Sequence, residues 1–250
     1  MCTRKAKTIQ KSLPALIFGY FGVSKRGRHK NKYTFEERFE YLRNYFKKIV
    51  DGYQVEYIKF GTEYMPDKAS LVVTNHNATY DPLVLMLSLK YPTMITSKIE
   101  NKDARFIRTV LNSVDAYYID REDARQAFEI FKKMYNDLST KTRAVCIYPE
   151  GTRNKEHPET LLPFKEASFK AAIKAGADIN PIVTYGTKDI RNFKLKVKRI
   201  PIIISYLPPI TAKDYEGKST YEVSSMVQDM MQKELTEHIL PLYNEKMNQK

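Results

Sequence analysis

The sequence predicts an α/β fold, a mixed and largely parallel sheet flanked by helices, preceded by a basic amphipathic helical arm. Three observations predict it. Between residues 93 and 184, short apolar runs alternate with segments of helical period, the rhythm of a sheet whose crossovers are helices. Residues 70–74 (SLVVT) are nearly all apolar, as a strand covered on both faces requires. No repeat, Gly/Ser linker or low-complexity block interrupts residues 34–250, so they are expected to form one domain, with residues 1–33 as a separate arm.

Each element has its own local reason. Thr34-x-x-Glu37 is a capping box, and Phe35, Phe39, Leu42, Phe46 and Ile49 follow at helical spacing up to Asp51-Gly52, giving a helix that should lie across the sheet. Residues 55–60 read as a strand, Met65-Pro66-Asp67 as a turn and 70–74 as a buried strand. Strands at 93–97, 116–119, 143–148 and 179–184 then alternate with helices ending at Asn112 and spanning 124–138 and 167–175. An apolar segment at 200–207 follows, and a last helix from about 221 to 239.

Charge divides the chain unevenly. Lys and Arg total 42 against 29 acids, a net +13, so the partners should be anionic: nucleic acid, a membrane surface or a phosphorylated substrate. Residues 1–33 hold nine basic groups (Arg4, Lys5, Lys7, Lys11, Lys25, Arg26, Arg28, Lys30, Lys32) and no acid, which leaves the body only +4. Cys2 and Cys146 cannot build a disulfide framework, and no Cys/His pair has metal-ligand spacing, which points to a reducing compartment and no metal site.

Residues 12–24 are thirteen uncharged positions, short of the roughly 20 that a spanning helix needs. No A-x-A-like cleavage site follows, and five more basic residues do, so the segment is expected to be retained and the protein not secreted. Ile9, Leu13, Leu16, Ile17 and Tyr20 make an apolar stripe at helical spacing beside the basic clusters. Two readings stand: an interfacial anchor on an anionic membrane surface, or a first helix packed on the protein's own core.

Two motifs carry chemistry. Asn75-His76-Asn77-Ala78-Thr79-Tyr80-Asp81-Pro82 directly follows the 70–74 strand, and strand C-termini are where open α/β sheets place ligands. A five-residue offset lets the Asp81 carboxylate fold back onto the His76 ring. An imidazole of pKa about 6.5, its tautomer fixed by a carboxylate, can take a proton from an attacking hydroxyl. The plain alternative is a capped helix start with a hydrogen-bonded histidine. No Gly-x-Ser-x-Gly elbow occurs, so the missing nucleophile could be a hydroxyl of the substrate. The second motif, Pro149-Glu150-Gly151-Thr152-Arg153, ends the 143–148 strand. Gly151 permits close backbone approach, Thr152 offers a hydroxyl and Arg153 a fork matched to phosphate; the alternative is a surface turn with Glu150 paired to Arg153. Lys165 and Lys170 read as solvated helix-face charges.

Together these residues resemble the glycerolipid acyltransferase family, most closely its 1-acyl-glycerol-3-phosphate acyltransferases. The N-H-x4-D block is Asn75-His76 to Asp81, the Lys-to-IDR block is Lys98 with Tyr118-Ile119-Asp120-Arg121, the F-P-E-G-T-R block is residues 148–153, and the proline block is residues 179–183. Pro163-Phe164-Lys165-Glu166-Ala167-Ser168-Phe169 is similar to the family's P-F-K-x-G-x-F segment. The likeness covers about residues 55–183. The chain departs from the pattern where the family usually has a Pro and glycines in the second block, at Ala104, Ile107 and Asp115, and also at Asn77, Ala78 and Ala167.

The resemblance implies transfer of an acyl group from acyl carrier protein or coenzyme A to the free hydroxyl of lysophosphatidic acid, giving phosphatidic acid, with no permanently bound cofactor. His76 would be the general base and Asp81 its orienting partner. Arg153 and Lys98 would hold the acceptor phosphate, with Arg121 beside them or paired to a carboxylate. Gly151 and Thr152 would complete the substrate site, and Glu150 would meet the glycerol hydroxyls or fix Arg153. Backbone N–H groups near the His76 loop are the expected oxyanion donors. The protein would sit on the cytoplasmic side of the cell membrane, peripheral or monotopic. Glycerol-3-phosphate or another lysophospholipid is an alternative acceptor. A basic module without enzymatic activity, binding membrane or nucleic acid, is the alternative of another class, although no nucleic acid is expected as a partner.

Overall fold

The computed structural model describes residues 8, 12–195 and 197–249. A π turn at Ala15–Gly19 leads into α1, Tyr20–Arg28. The elements β1 Val55–Phe60, β2 Leu71–Thr74, β3 Thr93–Lys98, β4 Tyr117–Ile119, β5 Ala144–Ile147, β6 Ile179–Tyr185 and β7 Ile200–Tyr206 form one sheet of order β1-β7-β6-β2-β5-β3-β4. Neighbouring strands are parallel except for β6 and β7, which are antiparallel. Helix α2, Phe35–Asp51, precedes β1; between the strands lie α3 Asp81–Ser88, α4 Arg105–Ser113, α5 Ala124–Ser139 and α6 Lys170–Ala175; α7 Thr220–Glu234 and α8 Leu240–Asn248 close the chain.

Period-two alternation in the central strands sorts the core into two layers. Leu71, Val73, Val145, Ile147, Ile179 and Val183 face Ile130, Met134 and Leu138 of α5, Ala171 and Ala172 of α6, and Val223, Val227 and Met231 of α7. The intervening Val72, Cys146 and Ile182 face Val84 and Leu85 of α3. Helix α2 has the expected capping box, Thr34 with Glu37, and packs Phe39, Leu42, Phe46 and Ile49 against Met86, Met94 and Ile95. Each such side chain, removed from water, stabilises the fold by about 1.5–3 kcal/mol. With both faces covered, only the strand ends and their loops remain to make a site.

The 12–24 segment divides into side chains turned inward and side chains turned outward. Leu16, Tyr20 and Val23 turn inward onto the α2 layer, and the Tyr20 hydroxyl donates to Thr109 Oγ1 at 3.0 Å. Gly22 permits this approach, since a Cβ there would meet the Tyr41 ring and hydroxyl. Leu13, Ile17, Phe18 and Phe21 turn outward, 48%, 48%, 75% and 66% exposed. Arg4, Lys5, Lys7, Ile9 and Lys11 of the expected arm, and Cys2, lie outside the described residues. Among the described residues no helix is long and apolar enough to cross a membrane.

One departure from the family pattern has a conformational reason. Asp115 has φ 53°, a left-handed geometry that Asp tolerates better than most residues with a Cβ. Its carboxylate gathers Lys30 at 2.5 Å, Arg38 at 2.7 Å and Arg143 at 3.7 Å, fastening the segment after α1 to the body. The C-terminal helix differs from its expected end near 239. It continues through Pro241 to Asn248, because a π turn at Leu235–Ile239 precedes the proline and accommodates its ring and missing N–H.

Candidate active site

Strand β2 ends at Thr74 and delivers a loop that the rest of the molecule holds by its backbone. Asn75 is buried and pairs with the main chain of Thr184, its Nδ2 donating to the carbonyl at 2.9 Å and its Oδ1 accepting from the N–H at 2.8 Å. His76 is bonded on both sides by the second motif: its N–H donates to Glu150 Oε1 at 2.6 Å, and its carbonyl accepts from Asn154 N–H at 2.7 Å. The two motifs, 74 positions apart in the chain, are therefore one hydrogen-bonded unit.

Asp81 opens α3, is 1% exposed, and has every oxygen occupied. Oδ2 faces His76 Nδ1 at 2.7 Å and accepts from the N–H groups of Asn77 and Ala78 at 2.6 and 2.8 Å. Oδ1 accepts from the buried Thr187 hydroxyl. A carboxylate opposite Nδ1 assigns the proton to that nitrogen and leaves the Nε2 lone pair directed away from Asp81. The His76 side chain is 19% exposed, and the Tyr148 ring lies 4.3 Å from it, centroid to centroid, tilted by 35°.

Thr187 escaped the sequence reading. It lies 106 residues from Asp81, and no spacing rule links a lone threonine after β6 to an aspartate after β2. Their adjacency follows from the pairing of β2 with β6, in which Thr74 is opposite Ile182.

Glu150 is buried, and its two oxygens accept from the N–H groups of His76 and Leu162, at 2.6 and 3.0 Å. It braces loops here, whereas the sequence suggested the glycerol hydroxyls or Arg153 as its targets. Burial pushes its carboxyl up to about 7, against the pull of the two N–H bonds. Arg153, exposed, instead donates from Nη1 to Thr79 Oγ1 at 2.7 Å, reaching over the His76 loop. The N–H groups of His76, Asn77 and Ala78 are committed to Glu150 and Asp81, so the expected oxyanion donors are to be sought among other backbone N–H groups near the loop.

Gly151 has φ 71°, and a Cβ there would come within 2.8 Å of Lys165 Cε. Lys165, expected to be merely solvated, thus lies across the Gly151 turn, beside exposed Thr152. Lys98 ends β3, exposed and 3.4 Å from Glu100; Arg121 follows β4, and both cations act on the Glu100 carboxylate. At about 4.8 Å per strand, the order β2-β5-β3-β4 sets the end of β3 about 10 Å and that of β4 about 14 Å from the end of β2. Arg153 stands at the dyad, Lys98 within a long side chain's reach, and Arg121 farthest out. Cys146 is fully enclosed, and burial pushes its thiol far above the ordinary range, so it offers no thiolate nucleophile.

Known proteins resemble this chain in sequence and in fold. The chain is 28% identical over 187 residues to the 1-acyl-sn-glycerol-3-phosphate acyltransferase of Saccharomyces cerevisiae, covering 74% of this chain and 60% of the yeast protein. It is 27% identical over 184 residues to the protein of that name from Borreliella burgdorferi, covering 72% of each. Among solved structures, the 1-acyl-sn-glycerophosphate acyltransferase of Thermotoga maritima superposes with a TM-score of 0.71 over 95% of this chain and 98% of that one, at 17% identity, a likeness of fold. The family model described as Acyltransferase matches residues 57–185, from within β1 to the last residue of β6. That span holds both motifs and strands β2 to β6, and the chain belongs to the acyltransferase family.

Proposed function

We propose that the protein transfers a fatty acyl group from a thioester of acyl carrier protein or coenzyme A to the free hydroxyl of lysophosphatidic acid, giving phosphatidic acid. The observation that carries this reading is the His76–Asp81 pair, with Nδ1 bound to Asp81 and Nε2 left to act as a base. Nε2 takes the proton of the acceptor hydroxyl as its oxygen attacks the thioester carbonyl. Asp81 stabilises the imidazolium without taking the proton, a contribution of about 10²- to 10⁴-fold for the base. The tetrahedral intermediate collapses, the carbon–sulfur bond breaks, and His76 returns the proton to the leaving thiolate. No acyl-enzyme forms.

Arg153 holds the acceptor phosphate, with Lys98 second and Arg121 at the margin. Gly151 and Thr152 form the turn against which the head group sits, and Glu150 serves through the His76 loop. The outward apolar side chains Leu13, Ile17, Phe18 and Phe21 rest in an anionic bilayer, which places the protein on the cytoplasmic face of the cell membrane. The names of the yeast and Borreliella relatives support the choice of acceptor.

The test is transfer of radiolabelled acyl groups by purified protein, with lysophosphatidic acid, glycerol-3-phosphate and lysophosphatidylcholine offered in parallel with each acyl carrier. Lysophosphatidic acid should be turned over fastest. His76→Ala should lower turnover by at least about 10³-fold while circular dichroism and the unfolding midpoint stay unchanged. Wild-type turnover by the variant would overturn the assignment.

A further inference from the structure

The segment between β6 and β7 holds more net charge than the rest of the body combined. Residues 188–199 contain six basic residues and one acid, a net +5. The body's total is +4, so the remainder of residues 34–250 sums to −1. The single acid is turned inward: Asp189 accepts from the Tyr243 hydroxyl at 2.5 Å. Lys188 is tied to the carbonyl of Lys155 at 2.7 Å, and Arg191 lies against the Tyr80 hydroxyl. Lys194, Lys198 and Arg199 are exposed, and none of them has an ion-pair partner among the described residues. Val197 packs against the core layer under β7, so the segment is seated by an apolar side chain and shows Lys194, Lys198 and Arg199 outward.

Topology places this segment at the end of the sheet that holds His76. Strand β6 runs parallel to β2 and leaves the sheet at that end, and β7 enters there because it runs antiparallel to β6. Phe193 stacks on Tyr53 at 6.3 Å between centroids, and Tyr53 follows Gly52, which abuts Ser12 at the start of the outward apolar segment. Ser12 in turn donates to the carbonyl of Ile49 at 2.9 Å. A short path of contacts therefore joins the unpaired cations to Leu13, Ile17 and Phe18.

We infer that residues 188–199 are a second membrane contact, an electrostatic rim that lies on anionic headgroups while the apolar side chains near residues 13–21 enter the bilayer. A bilayer carries both chemistries together, an anionic surface over an apolar interior, and an acidic protein offers only the first. The inference rests on reading the His76 end of the sheet as the membrane-facing end. Each basic side chain held near an anionic leaflet changes partitioning about fivefold.

The full-length chain and its K194Q/K198Q/R199Q variant can be sedimented with phosphatidylcholine vesicles lacking or containing phosphatidylglycerol. The variant should partition about a hundredfold more weakly onto the phosphatidylglycerol vesicles, and equally onto pure phosphatidylcholine. K194R/K198R/R199K should bind as wild type, which separates charge from folding. Turnover of a short-chain acceptor dissolved as monomer should stay unchanged. Undiminished binding to phosphatidylglycerol vesicles overturns the inference, and so does a raised KM for acyl carrier protein with vesicle binding intact, which would make the segment a protein dock. Loss of monomer turnover would move these cations into the substrate site and overturn it as well. Partitioning requires no catalysis, so it remains a valid measure even if no acyl transfer is detected.

Discussion

The His76 loop and the cationic edge beside it are built on opposite plans. In the loop, Asp81 is almost completely buried and accepts from His76, Asn77, Ala78 and Thr187, while Glu150 and Asn154 hold the His76 backbone and Thr184 holds the Asn75 side chain. At the edge, Lys98, Arg121 and Arg153 are exposed, with Glu100 at 3.4 Å and a threonine hydroxyl among their partners. The group proposed to move a proton is preorganised, and those proposed to meet a phosphate stand exposed at the ends of long side chains. A base must stand at a fixed position when the barrier is crossed, whereas a phosphate can be gathered by long side chains that adjust to it.

That contrast can be broken by experiment. The largest expected effect is Asp81→Asn, which should lower kcat about 10³-fold with KM for the acceptor nearly unchanged; steady-state kinetics decide it, and a loss confined to KM would erase the distinction between the regions. Next is the buried brace. The folded-state pKa of Glu150, about 7, lies above its ordinary 4.5, so the folded protein retains a proton that the unfolded chain releases between those values. The stabilisation is complete below about pH 4.5 and is lost as pH rises through 7, on the order of 2–3 kcal/mol. Urea unfolding of wild type and Glu150→Gln from pH 5 to 8 should give curves that are not parallel, the wild type losing ground as pH rises.

Arg153→Ala should raise KM for the phosphorylated acceptor about ten- to thirtyfold, as befits one charged hydrogen bond, and alter kcat little. The same substitution at Arg121, one strand beyond Lys98, should alter KM by less than about threefold; equal effects would refute the ordering by strand position. Smallest within the loop is Thr187→Val. It should lower kcat about tenfold, because Asp81 Oδ1 loses the hydroxyl that holds the carboxylate in place against His76. Thr187→Ser should restore kcat, and a lowered unfolding midpoint with kcat unchanged would make Thr187 merely structural.

What could be read in the sequence follows from how far its information reaches along the chain. Strand and helix positions depend on near neighbours, so the Thr34 cap, the apolar 70–74 run and the 124–138 stripe disclosed their elements. The five-residue offset of His76 and Asp81 is equally local. Strand order is not: nothing near residues 55–60 announces pairing with β7, and nothing near Asp81 announces Thr187. The last helix runs past its expected end near 239 and through Pro241, because a π turn one step earlier relieves the break a proline would impose. The 188–199 cations were concealed by averaging, because acids elsewhere in the body cancel them.

The pairing of β1 with β7 also sets a timetable for the birth of the protein. Val55 meets Ile200, so β1 has no strand partner until 145 further residues have been made. At about 5–20 residues per second, the nascent chain carries an unpaired strand for roughly 7–30 s. During that interval its exposed edge is open to other chains, and a factor that shields β1 on the ribosome would govern yield without touching the finished enzyme.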